Sequence, residues 1–203
     1  MIASVNRLRD GLDSLRERGA AFIDEALDPD TVTQIARESS SGNFERLAEQ
    51  EGTARQDGEF FVVTGHMNSY PLIAALCAEL TAVVHQQGSG IAGLKSWYPN
   101  EAWVQRYRGR SGGITVHKDQ KRYRLLVAVF TVKGSATFTV CRNRAGDAEM
   151  AWTAGSGSLV LLRGPGLGGI EDDRPLHAVG GPDSGERVSL SFRMNSRRMA
   201  GGA

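Results

Sequence analysis

Residues 123–140, YRLLVAVFTVKGSATFTV, decide the fold: two strand-like runs lie on either side of Lys133-Gly134. Their period is close to two, which is typical of β-strands because successive side chains point to opposite faces of a sheet. Similar runs occupy 102–107, 158–162 and 187–193, and glycine-rich turns separate them. Many short strands joined by such turns predict an antiparallel sandwich or barrel.

The first half of the chain has the three- and four-residue spacing of amphipathic helices. One apolar stripe consists of Val5, Leu8, Leu12 and Leu15. A second helix is predicted to begin at Asp28-Pro29, since aspartate caps helices and proline suits the first turn. The strongest helix prediction covers 71–87, which Gly88 ends. We expect a short helix at 43–50 and a polar loop at 51–58.

The chain has 203 residues, which is enough to bury a core without disulfides or structural metals. We expect a single domain over 1–203, with a mainly helical part at 1–93, a strand-rich core at 94–195 and a disordered tail at 196–203. Helices followed by strands predict an α+β, mainly β architecture in which the helices pack on one sheet.

Composition excludes several classes of function. The formal net charge is only +1, so no global field attracts nucleic acid or a membrane surface. No apolar run approaches 18 residues, and the charged N-terminus lacks the apolar segment of a secretory signal. Cys77 and Cys141 have no metal-type spacing, so we expect buried, reduced thiols in a cytoplasmic protein. We expect the protein to be either a monomer or a homodimer.

His117 and Asp119 form the first motif with chemical meaning. Residues two apart on a strand share a face, so the two side chains project together. His177, 58 residues after Asp119, could supply a third ligand. Two imidazoles and one carboxylate on one face of a metal are typical of non-haem Fe(II) oxygenases, which keep the other positions open. Taken alone, His-x-Asp could equally be a surface histidine near a carboxylate.

The segment 187–193, RVSLSFR, alternates strictly. Val188, Leu190 and Phe192 occupy one face, which is typical of a core strand. The opposite face has an arginine at each end. That face is either exposed to solvent or lines a cavity that holds a carboxylate, for which arginine is the preferred partner.

Together these residues resemble the Fe(II)/2-oxoglutarate-dependent dioxygenases. That superfamily has His-x-Asp, a distal His, an Arg some ten residues later and often a Ser two beyond it. The matching positions are His117, Asp119, His177, Arg187 and Ser189. The resemblance covers roughly 102–193 and is closest to the small AlkB-type branch, whose last strand has a second Arg six residues on, here Arg193.

Two features depart from the AlkB-type pattern. Its Asn-x-Tyr pair corresponds to Gln105 and Tyr107, so Gln replaces Asn, and the spacing from Tyr107 to His117 is one residue longer than usual. Its nucleotide-recognition segments have no counterpart in residues 40–90.

The resemblance implies a double-stranded β-helix, or jelly roll, with the N-terminal helices packed on its outer sheet. It also implies Fe(II), 2-oxoglutarate as co-substrate and O2, giving hydroxylation or oxidative demethylation with release of succinate and CO2. The AlkB-type analogy assigns Arg193, with Tyr107, to the 5-carboxylate of 2-oxoglutarate and places Arg187 near Asp119. The wider superfamily assigns Arg187 with Ser189 instead. Gln105 belongs to the same co-substrate site.

Charges around the motifs bear on the substrate. Seven basic residues and only one acid lie between residues 106 and 124, whereas Glu171, Asp172 and Asp173 precede His177. If these two segments form a basic and an acidic lip of the site, they suit a zwitterionic or compact polar metabolite. The same basic residues could instead be a solvated rim with no role in substrate binding. The candidate substrate contacts are His66, Arg108, Lys118 and Asp173.

Other functions remain open at this point. An AlkB-like nucleic-acid dealkylase is the second choice. It requires a flipped-base pocket and phosphate contacts, and the net charge of +1 gives little support for binding phosphates. A protein-residue hydroxylase and a non-catalytic jelly-roll binding module are further alternatives.

Overall fold

The structure, a computed structural model, describes residues 1–64 and 69–198. Three α-helices are present in these ranges: α1 Val5–Arg18, α2 Pro29–Ser40 and α3 Pro71–Gln87. The strands are β1 Ala20–Ile23, β2 Glu45–Arg46, β3 Gln50–Glu51, β4 Ala54–Asp57, β5 Glu59–Thr64, β6 Glu101–Arg108, β7 Gly113–His117, β8 Tyr123–Lys133, β9 Ser135–Cys141, β10 Ala148–Gly155, β11 Leu159–Arg163, β12 Leu176–Val179 and β13 Glu186–Asn195.

The strands form two antiparallel sheets that pack face to face. One has seven strands in the order β1-β11-β8-β13-β6-β5-β2, and the other has six in the order β10-β9-β12-β7-β4-β3. Between them lies an apolar cluster that includes Val127 and Leu162 from the first sheet and Phe138 and Val179 from the second. This is the predicted double-stranded β-helix, and the fold prediction is therefore confirmed.

The helices cover the outer face of the seven-stranded sheet, as predicted. In α1, Leu8, Leu12 and Leu15 are buried in one cluster with Phe130 and Phe192 of that sheet. The helix starts after Ser4, whose hydroxyl accepts from the backbone N–H of Arg7. It ends at Gly19, whose φ of 79° is a left-handed conformation that glycine adopts without a Cβ penalty. The apolar stripe thus decides which side of α1 packs on the sheet.

Two local predictions in the first half are wrong. Residues 43–50 contain the short strands β2 and the start of β3 instead of a helix, and residues 51–58 contain β4 instead of a loop alone. β4 is stabilised by pairing with β7, where Gln56 lies opposite Ile114, and no local pattern shows that partner. The first 93 residues also give β1 and β5 to the larger sheet.

The end of the chain and the thiols complete the comparison with the sequence predictions. Ser196–Arg198 form a short 3-10 turn, and the rest of the predicted tail, 199–203, lies outside the described residues. Cys77 and Cys141 are buried free thiols. Burial raises the pKa of Cys77 to about 11, so it stays protonated near neutral pH. Over residues 1–64 and 69–198, no helix has the length and apolar character that a membrane span requires.

Glu101, at the start of β6, is a buried carboxylate that ties the ends of β6 and β13 together. It is only 2% exposed. It accepts hydrogen bonds from Trp103 Nε1 at 2.5 Å, Asn195 Nδ2 at 2.8 Å and Arg198 Nε at 2.9 Å. Burial alone would raise the pKa of Glu101, but these donors outweigh it and hold that pKa below its ordinary value of 4.5.

We predict that Glu101→Gln lowers the free energy of unfolding at pH 7 by about 1–3 kcal/mol, because charge-assisted hydrogen bonds in a buried site are lost. The folded-state pKa lies below the unfolded one, so the stabilisation is present above pH 4.5 and disappears as the pH falls through the folded value. Urea unfolding at pH 7 and pH 3 measures both effects.

Glu186→Gln is the matched control, since Glu186 at the other end of β13 makes an ion pair with the half-exposed Lys133 at 2.6 Å. An exposed pair contributes about 0–1 kcal/mol. Equal losses for the two variants at pH 7 would contradict the role given to Glu101.

Candidate metal centre and co-substrate pocket

His117, Asp119 and His177 come together at the inner face of the six-stranded sheet. His117 ends β7 and lies directly opposite His177 of β12, with ring centroids 4.2 Å apart. Asp119 follows His117 by two residues, and one ligand atom from each side chain lies within 4.8 Å of the others. The three predicted metal ligands therefore form one cluster.

Backbone carbonyls orient both imidazoles. Nδ1 of His117 lies 2.8 Å from the Thr115 carbonyl oxygen, and Nδ1 of His177 lies 3.2 Å from that of Pro175. A carbonyl oxygen can only accept, so each Nδ1 carries the proton and each Nε2 keeps its lone pair for a metal. Phe138 stacks on the His177 ring at 5.4 Å between centroids and fixes its plane.

The protonation states suit metal binding. Burial, together with the neighbouring His117, lowers the pKa of His177 to about 4, so the ring is neutral near pH 7. Burial would raise the pKa of Asp119, but the surrounding cationic groups, Arg193 and Arg174 among them, outweigh it and hold that pKa below its ordinary value. Two imidazoles and one carboxylate form the donor set that fits Fe(II) and leaves other coordination positions open.

The triad lines a cavity of about 400 Å³ between the two sheets. The polar face of β13 lines the same cavity with Arg187, Ser189 and Arg193, while its apolar face lies in the core under the helices. Tyr107 and Gln105 of β6 also line it. The structure therefore brings the five predicted co-substrate residues and the triad around a single space.

Arg187 is a buried cation without an anionic partner. Its side chain is 2% exposed, Nη2 donates to Thr131 Oγ1 at 3.0 Å, and Nε has no acceptor. No carboxylate of residues 1–64 and 69–198 lies within ion-pair distance of it. Burial lowers the pKa of Arg187 to about 10, so it remains charged near neutral pH. Because an unpaired buried charge is costly, the pocket suits an anionic ligand.

Arg193 lies at the metal end of the cavity. Its Nη1 donates to the Tyr123 hydroxyl at 3.3 Å, and its guanidinium lies 4.7 Å from the ring centroids of both Trp103 and Tyr123. Its charge is among those that lower the pKa of Asp119.

The expectation that Arg187 lies near Asp119 is therefore wrong, and register gives the reason. β8 begins four residues after Asp119, and it runs antiparallel to β13 with Arg193 opposite Val127. The end of β13 that carries Arg193 is thus beside the metal loop. Arg187, toward the other end, lies opposite Tyr107 of β6.

The predicted substrate contacts fall in different places. Lys118 lines the cavity. Arg108 lines a separate surface cavity and pairs with Glu59 at 3.2 Å. Asp173 forms an ion pair with the buried Arg163 and does not line the cavity that holds the triad. His66 lies outside the described residues.

The acidic lip inferred from residues 171–173 is not part of the cavity. Asp172 pairs with Arg174 at 2.7 Å and Lys121 at 3.6 Å, and Asp173 pairs with Arg163. The hydrogen bond from Arg174 holds the pKa of Asp172 far below its ordinary value. Asp172 and Asp173 are thus paired with local cations, and none of the three acids lines the cavity, so the expectation of an acidic lip beside the metal site is wrong.

Several cavity residues were not predicted as site residues. They are Gln56, Trp103, Tyr123, Arg144 and Arg174. The ring of Trp103 packs against the guanidinium of Arg193. The others reach the site through strand pairing or turns distant in sequence, and no local motif marks them.

Neither a protein-family model nor a curated protein sequence matches this chain. Solved structures do match. A Trichoplax adhaerens prolyl hydroxylase, in complex with a hypoxia-inducible-factor oxygen-degradation-domain peptide fragment, has a TM-score of 0.68 at 14% identity, covering 98% of this chain and 94% of that one. A Pseudomonas putida prolyl-4-hydroxylase has a TM-score of 0.59 at 17% identity, covering 93% and 98%.

OsALKBH1 has a TM-score of 0.55 at 14% identity, covering 86% of this chain and 97% of that one. The likeness therefore extends over nearly the whole chain and across prolyl-hydroxylase and AlkB-type structures alike. It agrees with the sequence resemblance at the level of the superfamily and does not single out the AlkB-type branch. The chain has the double-stranded β-helix fold of the 2-oxoglutarate–Fe(II) oxygenases, and its His117, Asp119 and His177 form a cluster that could hold a metal ion.

Proposed function

We propose that the protein is an Fe(II)- and 2-oxoglutarate-dependent dioxygenase that hydroxylates, or oxidatively demethylates, a small polar metabolite, with release of succinate and CO2. The observation that carries this proposal is one cavity with a two-His, one-carboxylate cluster and an unpaired buried arginine, Arg187. A 2-oxo dicarboxylate needs both: a metal for its 2-oxo acid end and a cation for its distal carboxylate.

The residues present fit iron and its co-substrate. His117, Asp119 and His177 would hold Fe(II), with both Nε2 atoms available and Asp119 ionised. Bound iron, 2-oxoglutarate and O2 together supply the oxidising equivalents for attack on a C–H bond. The protein's part is to orient these groups and to exclude water, which Val129, Phe138 and Leu162 of the cavity wall favour.

We assign the distal carboxylate of 2-oxoglutarate to Arg187. Arg187 and Tyr107 lie opposite each other on β13 and β6, and Arg187 has free donors. Burial raises the pKa of Tyr107 despite the nearby arginines, so its hydroxyl stays a proton donor for a carboxylate. Gln105 Nε2 donates to that hydroxyl at 3.2 Å and orients it, and Ser189 lines the same wall.

Arg193 takes a different role in this assignment. Held against Trp103 and Tyr123, its charge keeps Asp119 in the carboxylate form. The same charge lies at the metal end, where the 1-carboxylate of a chelated 2-oxo acid would be.

Cavity size supports a small substrate. Small-molecule sites have volumes of about 300–1,000 Å³, and this cavity, at about 400 Å³, is near the lower end of that range. Bound 2-oxoglutarate would fill part of this volume and leave less for the substrate. Peptide hydroxylation is the second candidate, because the structural likeness is higher to the peptide-bound prolyl hydroxylase than to OsALKBH1.

The test has two stages. Anaerobic calorimetry should show one equivalent of Fe(II), or of Mn(II) as surrogate, and 2-oxoglutarate binding only when the metal is present. Succinate release is then followed while metabolite extracts, separated by mass, are added. Stimulation by a low-mass fraction is the expected result. Absence of metal-dependent 2-oxoglutarate binding would leave a non-catalytic module, and stimulation by peptides or methylated single strands alone would replace the small-molecule assignment.

Arg174 supports the metal loop without being a ligand. Its Nη1 donates to the backbone carbonyl of Asp119, and its Nε pairs with Asp172 at 2.7 Å. We predict that Arg174→Gln weakens Fe(II) binding about 10- to 100-fold, which is the usual effect of removing a partner of a metal ligand. Anaerobic Fe(II) titration measures it. Lys121→Gln is the control, since Lys121 is exposed and makes an ion pair with the same Asp172, at 3.6 Å, without a hydrogen bond to Asp119. Equal Fe(II) affinity in both variants would contradict this role.

A further inference from the structure

The cavity has an excess of positive charge. Five cationic side chains line it, against the carboxylates of Glu51 and Asp119: Lys118, Arg144, Arg174, Arg187 and Arg193. The formal charges of Fe(II) and of 2-oxoglutarate cancel, so loading both leaves the cavity cationic. A site with net positive charge attracts an anionic ligand.

Three of these cations already have an assigned role or an ion-pair partner. Arg187 and Arg193 are assigned above to the co-substrate and to Asp119, and Arg174 pairs with Asp172. Lys118 and Arg144 have no such role assigned, and in the described part of the chain neither has a carboxylate within ion-pair distance. Glu51, the acid on this side of the cavity, accepts a hydrogen bond from Gln120. Lys118 and Arg144 are therefore two cavity cations without an anionic partner in the described residues.

Arg144 is held in place by the turn between β9 and β10. Asn143 Oδ1 accepts a hydrogen bond from the backbone N–H of Ala145 at 3.0 Å, and Asn143 Nδ2 donates one to the carboxylate of Asp147 at 2.7 Å. Asp147 is thus engaged within the turn. A methyl group built on Gly146 would lie 3.5 Å from Val116, one residue before the ligand His117, so the turn packs against the metal strand.

The guanidinium of Arg144 spans the cavity mouth. Its Nη1 donates to Thr53 Oγ1 at 3.0 Å, across from its own turn, at the tip of the β3–β4 hairpin. This is a single hydrogen bond to a neutral hydroxyl, and the other donors of the planar group have no protein acceptor in the described residues. Paired donors of arginine match the two oxygens of a carboxylate or phosphate.

We infer that the substrate is a small molecule with an anionic oxygen group, a carboxylate or a phosphate, which Arg144 binds at the cavity mouth, with Lys118 as a second cation lining the same cavity. The inference rests on the proposed function and narrows its substrate from polar to anionic. Two free cations suit one such group. They do not form a track for the successive phosphates of a nucleic-acid strand.

The test uses matched pairs of small molecules on the Mn(II)- and 2-oxoglutarate-loaded protein without oxygen. One arm pairs N-acetyl amino acids with their primary amides, and the other pairs phosphate monoesters with the parent alcohols. Ligand-observed NMR gives the relative affinities. We expect the wild type to prefer the anionic member about 10-fold, in line with one charge-assisted contact. The arm with the larger preference identifies the group as carboxylate or phosphate.

Variants assign the preference to a side chain. Arg144→Gln should reduce the preference to about threefold or less, with 2-oxoglutarate affinity unchanged. Arg142→Gln is the matched control: Arg142 lies in the same turn, donates to the Ala148 carbonyl at 2.8 Å and does not line the cavity. It should behave as the wild type does.

Three results would overturn the inference: equal binding of neutral and anionic members, an unchanged preference in Arg144→Gln, or a methylated single strand that binds more tightly than every small acid at physiological salt. Failure of the proposed function is separately visible. In that case the wild type would not bind 2-oxoglutarate in a metal-dependent way, while the anion preference of the mouth would still be measurable on the metal-free chain.

Discussion

His177→Ala should abolish tight Fe(II) binding and lower 2-oxoglutarate turnover about 1,000-fold or more, since a catalytic metal supplies several kcal/mol of stabilisation. The ring lies at the cavity wall, so its removal enlarges an existing space instead of creating a new one in the core. Urea unfolding should therefore remain cooperative, with a midpoint near that of the wild type. Anaerobic Fe(II) titration and succinate release measure the two losses.

His85→Ala is the matched control for histidine removal. His85, in α3, contacts the Trp97 carbonyl at 2.9 Å and does not line the cavity. It should keep full metal binding. Asp119→Asn provides a second, near-isosteric test should the His177 variant be unstable. One equivalent of tightly bound iron in both His177→Ala and Asp119→Asn would show that the triad is not the metal site.

Local sequence patterns are sufficient where a segment's environment is set by its own residues. The period of 71–87 and its flanking Pro71 and Gly88 predict α3 with the bounds that the structure has. The strict alternation of 187–193 predicts the core face of β13, and of the two alternatives left for its polar face the structure shows the one that lines a cavity. In these segments packing and pattern agree, so a local reading gives the correct element.

Other parts depend on partners that are distant in sequence. The polar sequence of β4, ARQD, predicts a loop when taken alone. It is a strand because β7, which is distant in sequence, pairs with it. The charges of residues 171–173 suggested an acidic lip, but Arg163 lies ten residues before its partner Asp173, and their pairing becomes visible only in three dimensions. Net charge along a segment does not show which charges are already neutralised.

The choice between the two arginines of β13 is of the same kind, because spacing along a strand does not reveal which end meets the metal. The register of β13 with β8 does, and it leads to a prediction that separates the two side chains. Arg187→Met should raise the concentration of 2-oxoglutarate needed for half-maximal turnover by about 10- to 1,000-fold, as loss of a buried charge pair does. Arg193→Met should instead lower the maximal rate and weaken Fe(II) binding through Asp119.

A co-substrate analogue makes the distinction sharper. The wild type should strongly prefer 2-oxoglutarate over 2-oxobutyrate, which lacks the distal carboxylate but chelates a metal in the same way. Arg187→Met should lose most of that preference, because its contact with the missing group is already gone, whereas Arg193→Met should keep it. Metal-dependent binding of both acids, measured by calorimetry with Mn(II), gives the preference without turnover. The opposite pattern, with the preference lost in Arg193→Met and kept in Arg187→Met, would restore the AlkB-type assignment of the 5-carboxylate to Arg193.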